Sequence, residues 1–495
     1  MSLPRTLAWA SLADRDALTS RSRRPLVSAL LNLVPLLLLV GAVSADRFGI
    51  RWHGVNLRLE LIAAVVLAVW AVATWRIAPV HIGVVEWCLV AWLGVGVLSS
   101  LIFSPAPRES LRLTLVLLGM VALYGLAVVF IRSASDLARA ALVWVGVGTL
   151  AAAIGIVEAI LYALFDSHAG IAFDGTVVGN LVEFAPRVTS TMWEPNIFAS
   201  YLLTVWALAF ALSRLPAART PVRKWALRSA MGIIVTGIVI STTRVVWVIA
   251  PLLMLSMMAF ALQRGLLSQR RLLSDFFNPN LAGIAAGLAL ATAMSVVACP
   301  VATPAAGSLP TAPTSSSAPS SGPPPAAVNP FQGPGCFKSG SVFMQHARGF
   351  FRASSTSSFT GRLAVAKQAI RGWLQRPIFG NGTNSYLYIF GAAAGGWIGN
   401  IELHALFDTG IVGFLLLLIA LIAAGRPAIR ALRTASVAWD TRHYVLFGLM
   451  AAAVALIVTY QFTDGSWLGF TWVFFGMLVA AGRLTRGIGQ RLQSA

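Results

Sequence analysis

His404 sits in the segment IELHALFDTGIVGF, between Glu402 and Asp408 and at the edge of a long apolar run. An unperturbed imidazole titrates near neutral pH, which suits it to take a proton from a hydroxyl. The competing reading is an interfacial histidine satisfied by backbone or by a lipid headgroup. Arg244, in STTRVVWVIAP, falls between two apolar runs. An arginine there is costly unless it is paired, faces a polar cavity or snorkels to the interface. As chemistry it is an anion clamp, because a guanidinium holds phosphate through two parallel hydrogen bonds and stays charged at any working pH. Arg362 opens a candidate helix in FTGRLAVAKQAIRGWLQRPIFG, where the helix N-terminus adds partial positive charge. Arg187 and Asn196, in RVTSTMWEPN, stand just before another apolar run. Each of these also reads singly as a solvated loop residue. Together they describe a cationic surface, suited to a phosphate or diphosphate, with a base beside it and Glu402 close enough in sequence to orient the imidazole.

The motifs that would hold a metal or a nucleotide are missing. There is no HExxH, GxxxxGK[ST] or GxSxG. The one D-x-D, Asp14-Arg15-Asp16, lies in a basic N-terminal tail and reads as incidental. Phosphate charge would then be met by arginine, and neither a metal nor a cofactor is expected. Asp46 is a lone candidate acid for a metal-dependent alternative.

The elements that must position these groups follow from composition. Of 495 residues, 57% are hydrophobic and 11% charged, and the mean hydropathy is +0.78. Soluble domains average about 45–50% apolar and roughly 25% charged residues. A water-soluble globule and a disordered chain are both excluded. The expected architecture is an all-α polytopic membrane protein with spans near 26–45, 57–74, 82–103, 113–131, 140–165, 196–213, 228–242, 245–262, 281–299, 405–424, 444–463 and 467–482. The net charge of +20 would suggest nucleic acid on a soluble protein. Here 23 of the 37 basic residues fall on one side of the twelve-span topology, 7 on the short loops of the other, and 7 in a long loop. That bias places both tails in the cytoplasm and leaves no role for nucleic acid. The segments are a cytoplasmic basic tail (1–25), nine spans (26–299), a long extracytoplasmic loop (300–404), three spans (405–482) and a second tail (483–495).

The long loop has two parts. Residues 300–335 are rich in Pro, Ser, Ala and Gly and read as a flexible linker. Residues 359–376 read as an amphipathic helix with Leu363, Ala366, Ile370, Trp373 and Leu374 on one apolar face, which suits the membrane surface or the span bundle. Cys299 and Cys336 bracket the linker on the oxidising side, where a disulfide and two free thiols are both open; Cys88 lies inside a span.

Four segments share an order with a known family. RVTSTMWEPNIFASYL (187–202) resembles an R-x-T-G-x-x-x-x-P-N span start. STTRVVWV (241–248) resembles S-x-S-R-x-x-W, with Thr243 in place of the second serine. GRLAVAKQAIRGWLQRPIFGNGTNSY (361–386) resembles a helix and turn ending P-x-x-G-x-G. ELHALFDTGIVGFLL (402–416) resembles H-N-x-Y-L followed by G-I-x-G, with Ala405 after the histidine. In this combination the chain resembles the O-antigen ligase and polymerase superfamily of bacterial membrane glycosyltransferases. The resemblance implies a metal-independent, inverting enzyme of the bacterial plasma membrane, active on its extracytoplasmic face. It would move a glycan from an undecaprenyl diphosphate carrier to a glycan, lipid or protein acceptor such as lipid A–core. It places the family's essential arginines at Arg244 and Arg362 and its essential histidine at His404. A repeat-unit polymerase of the same superfamily is the nearest alternative, and a transporter or lipid flippase is the alternative from a non-enzyme class.

Overall fold

Apolar runs of about 20 residues have no stable state in water and no partner for their amides in lipid except themselves, so they form helices. The computed structural model describes residues 25–493 apart from 53–54, 75–81, 179–180, 216–219, 301–335, 346–356, 392–397 and 435–438. The expected linker (from 301), the tail up to residue 24 and the Asp14–Asp16 pair therefore lie outside the described residues. The long helices are α1 (Pro25–Val43), α2 (Leu59–Ala73), α3 (Val84–Phe103), α4 (Pro107–Phe130), α5 (Ala134–Phe165), α6 (Pro195–Ser213), α7 (Pro221–Ile240), α8 (Arg244–Gln263) and α9 (Asn278–Ala293). They continue with α10 (Ser357–Gln375), the short α11 (Tyr386–Phe390), α12 (Ile401–Thr434), α13 (Thr441–Thr459) and α14 (Gly469–Gln493). Among the described residues, 8 helices are long and apolar enough to cross a membrane, and the chain is a multi-pass helical membrane protein.

α6 forms the axis of the bundle, with 89% of its apolar window buried. A helix apolar all round is stable only when surrounded. Around it, close approaches use glycine: a Cβ at Gly283 of α9 would lie 2.4 Å from the Gly232 carbonyl of α7. Small residues at helix crossings let backbones meet where lipid offers no hydrophobic drive. Outward-facing Val65, Leu115 and Leu164 are about two-thirds exposed, as befits a lipid-facing belt.

Two expectations need correction. The fold is not all-α. A hairpin of β1 (Gly49–Trp52) and β2 (Val55–Arg58) and a four-stranded antiparallel sheet of β3 (Ile171–Val178), β4 (Leu181–Val188), β5 (Ser295–Pro300) and β6 (Phe337–Ser341) sit at one end of the bundle. The span expected over 281–299 ends at Ala293, and its last residues are β5, paired to β4 with Val182 opposite Cys299. SVVACP is apolar and β-branched, and hydropathy alone cannot tell such a strand from the end of a helix. A disulfide joins Cys299 to Cys336, tying β5 to the residue before β6.

The second correction concerns α10. It begins at Ser357, so Arg362 lies in its second turn and not at its opening. Its packed face is Val365, Ala369 and Gly372 against Tyr386, Phe390 and Phe407, while Leu363, Ile370 and Leu374 are 44–61% exposed. The small residues face protein and the large ones face outward, so of the two placements for the apolar face it is not packing on the span bundle that is observed.

α12 is broken at Gly410, whose φ of 64° and ψ of −168° suit glycine alone. The turn 377–385 crosses this break. Asn381 and Gly382 donate their amides to the carbonyls of Phe407 (2.9 Å) and Asp408 (3.0 Å), and Pro377 and Ile378 accept from Ile411 (2.9 Å) and Val412 (3.2 Å). A Cβ at Gly410 would meet the Ile378 carbonyl at 2.3 Å. Gly410→Ala is expected to cost about 3 kcal/mol, the upper end for a backbone held outside its ordinary wells. The check is a lowered melting temperature in detergent. Gly425→Ala, later in the same helix and with open space around it, should leave the melting temperature unchanged or raise it.

Candidate active site

His404 lies in the first turn of α12, 4% exposed. Helical spacing puts Asp408 one turn below it on the same face. Its Nε2 lies 3.2 Å from Asp408 Oδ2, and its Nδ1 contacts Asp464 Oδ2. Both carboxylates are themselves fixed. Asp408 Oδ2 accepts the Asn384 amide (2.8 Å), and Ser99 Oγ bonds the Asp408 carbonyl (3.0 Å) that the break in α12 exposes. Asp464 Oδ1 accepts the amide (2.8 Å) and the hydroxyl (2.7 Å) of Ser466. Trp467 lies beside the imidazole, with ring centroids 6.0 Å apart. The small cavity in front of the imidazole, about 20 Å³, is lined by Trp92, Gly96, Thr114, Thr383 and Thr409 as well as His404. It has room for about one water molecule.

Glu402 points elsewhere. Gln461 Nε2 donates to its Oε1 (2.7 Å), so the carboxylates on the imidazole are Asp408 and Asp464. Arg362 is exposed and donates to the Phe462 carbonyl, two residues before Asp464. A guanidinium carries five N–H donors, and this bond uses one of them. Arg362 and His404 thus share the loop between α13 and α14.

The second group forms around β4. Arg187 Nη2 donates to Asn196 Oδ1 (3.0 Å) at the start of α6 and to Thr243 Oγ1 (3.3 Å). Its Nε donates to Thr242 Oγ1 (3.2 Å). Thr242 holds a φ of 53°, an uncommon conformation for a β-branched residue, in the turn that presents Arg244 as the first residue of α8. Arg187 and Asn196 therefore brace the Arg244 turn.

The two groups are joined through the α1–α2 connection. Arg47 donates its amide to the Thr191 carbonyl (3.0 Å), and Thr191 Oγ1 donates to the Ser44 carbonyl (2.6 Å). Arg58 Nη1 reaches Asp46 Oδ1 (3.2 Å), Glu60 Oε1 (3.2 Å) and the Trp467 carbonyl (3.0 Å). Burial pushes the Asp46 carboxyl above the ordinary carboxylate range, with Arg58 opposing and Glu194 adding to the rise. Asp46 is 2% exposed and clamps Arg58. Among the described residues, no three His, Cys, Asp or Glu side chains are grouped to hold a metal ion.

No family model matches the chain, and no curated protein matches it.

Asp464, Asn384, Ser99 and Arg58 were not apparent in the sequence. A signal existed only for Asp464: an Asp-Gly turn followed by serine at the end of an apolar run. Asp464→Ala should destabilise the protein by about 3–5 kcal/mol, the cost of removing one partner from a buried ionic contact. Asp464→Asn, which keeps an acceptor for Ser466, should cost less. Thermal unfolding of the two variants in detergent checks the order.

Proposed function

We propose that this chain is a glycosyltransferase of the O-antigen ligase type, resident in the bacterial plasma membrane. It moves a glycan from an undecaprenyl diphosphate carrier to an extracytoplasmic acceptor such as lipid A–core. The observation that carries this reading is the His404 imidazole, backed by Asp464 and joined through one hydrogen-bonded loop system to Arg362, to Arg187 and to the turn that precedes Arg244. A carboxylate behind an imidazole is the arrangement that orients a general base.

The topology belongs to the same proposal. The 8 long helices, the three shorter apolar ones (Leu33–Val43, Leu59–Ala73 and Gly469–Thr485) and α7 would make twelve crossings. α7 carries Arg223, Lys224 and Arg228 in its first turns, where a cytoplasmic end would place them. The disulfide lies at the bundle end that bears His404, which supports an oxidising, extracytoplasmic setting for that end.

In the reaction, the acceptor oxygen attacks the anomeric carbon as the bond from that carbon to the diphosphate oxygen breaks. The hydroxyl proton passes to His404 Nε2, and the electron pair leaves with the diphosphate. A single displacement inverts the anomeric centre. Arg244 and Arg362 meet the charge that grows on the leaving diphosphate, where fixed donors are worth several kcal/mol.

Purified protein with carrier-linked glycan tests this. His404→Ala should lose transfer by at least about 100-fold while donor binding survives. Arg244→Ala should weaken both binding and transfer. Undiminished transfer by His404→Ala would remove the base. Loss of transfer on chelation, restored by Mg²⁺ or Mn²⁺, would point to another class. The break in α12 favours a second reading, since transporters build sites from interrupted helices. Substrate uptake into proteoliposomes without glycan product would establish it.

A further inference from the structure

A groove of about 620 Å³ opens between α3, α12 and α14, and the proposed chemistry makes no use of it. Helical rise puts Arg426 roughly 30 Å along α12 from His404, about the thickness of the hydrocarbon core. The groove thus lies toward the bundle end opposite the imidazole. Its size falls within the roughly 300–1,000 Å³ of ligand pockets. The walls are aliphatic, with Val84 and Val85 from α3, Ile419 and Ile422 from α12 and Val479 from α14. Val84, Ile419 and Ile422 are 45–58% exposed.

Three arginines complete the lining: Arg426, Arg430 and Arg483. Arg483 Nη2 donates to Glu86 Oε1 (2.6 Å), which also accepts from the Tyr124 hydroxyl (2.6 Å). Glu86 Oε2 takes the Gly83 amide (2.7 Å). That carboxylate is therefore spent on its own surroundings. Arg426 and Arg430 stand one turn apart on the same face of α12, both exposed, and among the described residues no acidic side chain lines the groove. An apolar trough that ends in two guanidinium groups complements a molecule with a hydrocarbon chain and an anionic head.

We infer that this groove binds an anionic glycerophospholipid, with the phosphate between Arg426 and Arg430 and an acyl chain along Ile422 and Val479. Two cationic side chains at a membrane surface favour anionic over zwitterionic lipid, and basic pockets between spans select such headgroups. The inference needs only a membrane around the bundle and stands apart from the transferase reading.

The probe is an equimolar mixture of phosphatidylglycerol and phosphatidylcholine in detergent, with the full chain and native mass spectrometry of retained lipid. Phosphatidylglycerol should be retained over phosphatidylcholine. The double variant Arg426→Gln, Arg430→Gln should weaken that retention by roughly thirtyfold, from the contribution of each arginine at an anionic surface. Ile422→Trp keeps both charges and fills the groove, and it should also lose the lipid. It decides the matter if the double variant does not fold. Equal retention of the two lipids, undiminished phosphatidylglycerol in Ile422→Trp, or displacement of the lipid by millimolar inorganic phosphate would overturn the assignment.

Discussion

A peptide group buried in a lipid-facing bundle has no water to bond, so a helix can be interrupted only where other protein supplies the lost partners. The break in α12 at Gly410 is such a place. The turn 377–385 lays its amides on the carbonyls of Phe407 and Asp408 and accepts from the amides beyond the break. Ser99 of α3 takes a further share of the Asp408 carbonyl. One exchange of backbone hydrogen bonds therefore fixes α10, the turn, α3 and both halves of α12 together. It also sets the height of Asp408, and through Asp408 the surroundings of His404.

The ionisable groups obey a related constraint. Buried carboxylates in this chain are each held by cations or amides. Asp275 meets Arg214 (3.6 Å), Lys224 (3.2 Å) and Arg228 where α6, α7 and α9 converge. Glu86 holds Arg483, and Arg58 is shared by Asp46 and Glu60. An unpaired charge in the interior would be neutralised or would drive the helices apart. With 17 acids against 37 basic residues, the clamps use up most of the interior acids.

What sequence can show divides along these lines. Apolar runs near 20 residues mark helices because lipid imposes that length, and α3, α4, α6, α8 and α13 lie where such runs predict them. His404 and Asp408 share a face by simple helical spacing. The periodicity of α10 shows its apolar face, but not that burial against the bundle takes the small-residue face with Ala369 and Gly372 and leaves Leu363 and Ile370 outward. β5 was hidden in an apolar run whose hydropathy is shared by strand and helix. Asp464 meets His404 only through the return of the chain after α13, a contact that no local pattern encodes.

The two carboxylates on His404 are not equivalent, and the difference bears on any chemistry there. Asp464 is held from behind by Ser466, on a loop that also takes the Arg362 guanidinium, so the Nδ1 side is the fixed one. Asp408 approaches Nε2 at 3.2 Å from the side of the small cavity. An imidazole that keeps its Nδ1 proton for Asp464 has one lone pair, on Nε2, and Asp408 stands in the direction from which a hydroxyl would reach it. Any hydroxyl that bonds this lone pair must enter between Nε2 and Asp408 or displace Asp408 from the ring. The Asn384 amide bonds that same Oδ2, so the turn 377–385 that repairs the broken helix also keeps Asp408 beside Nε2.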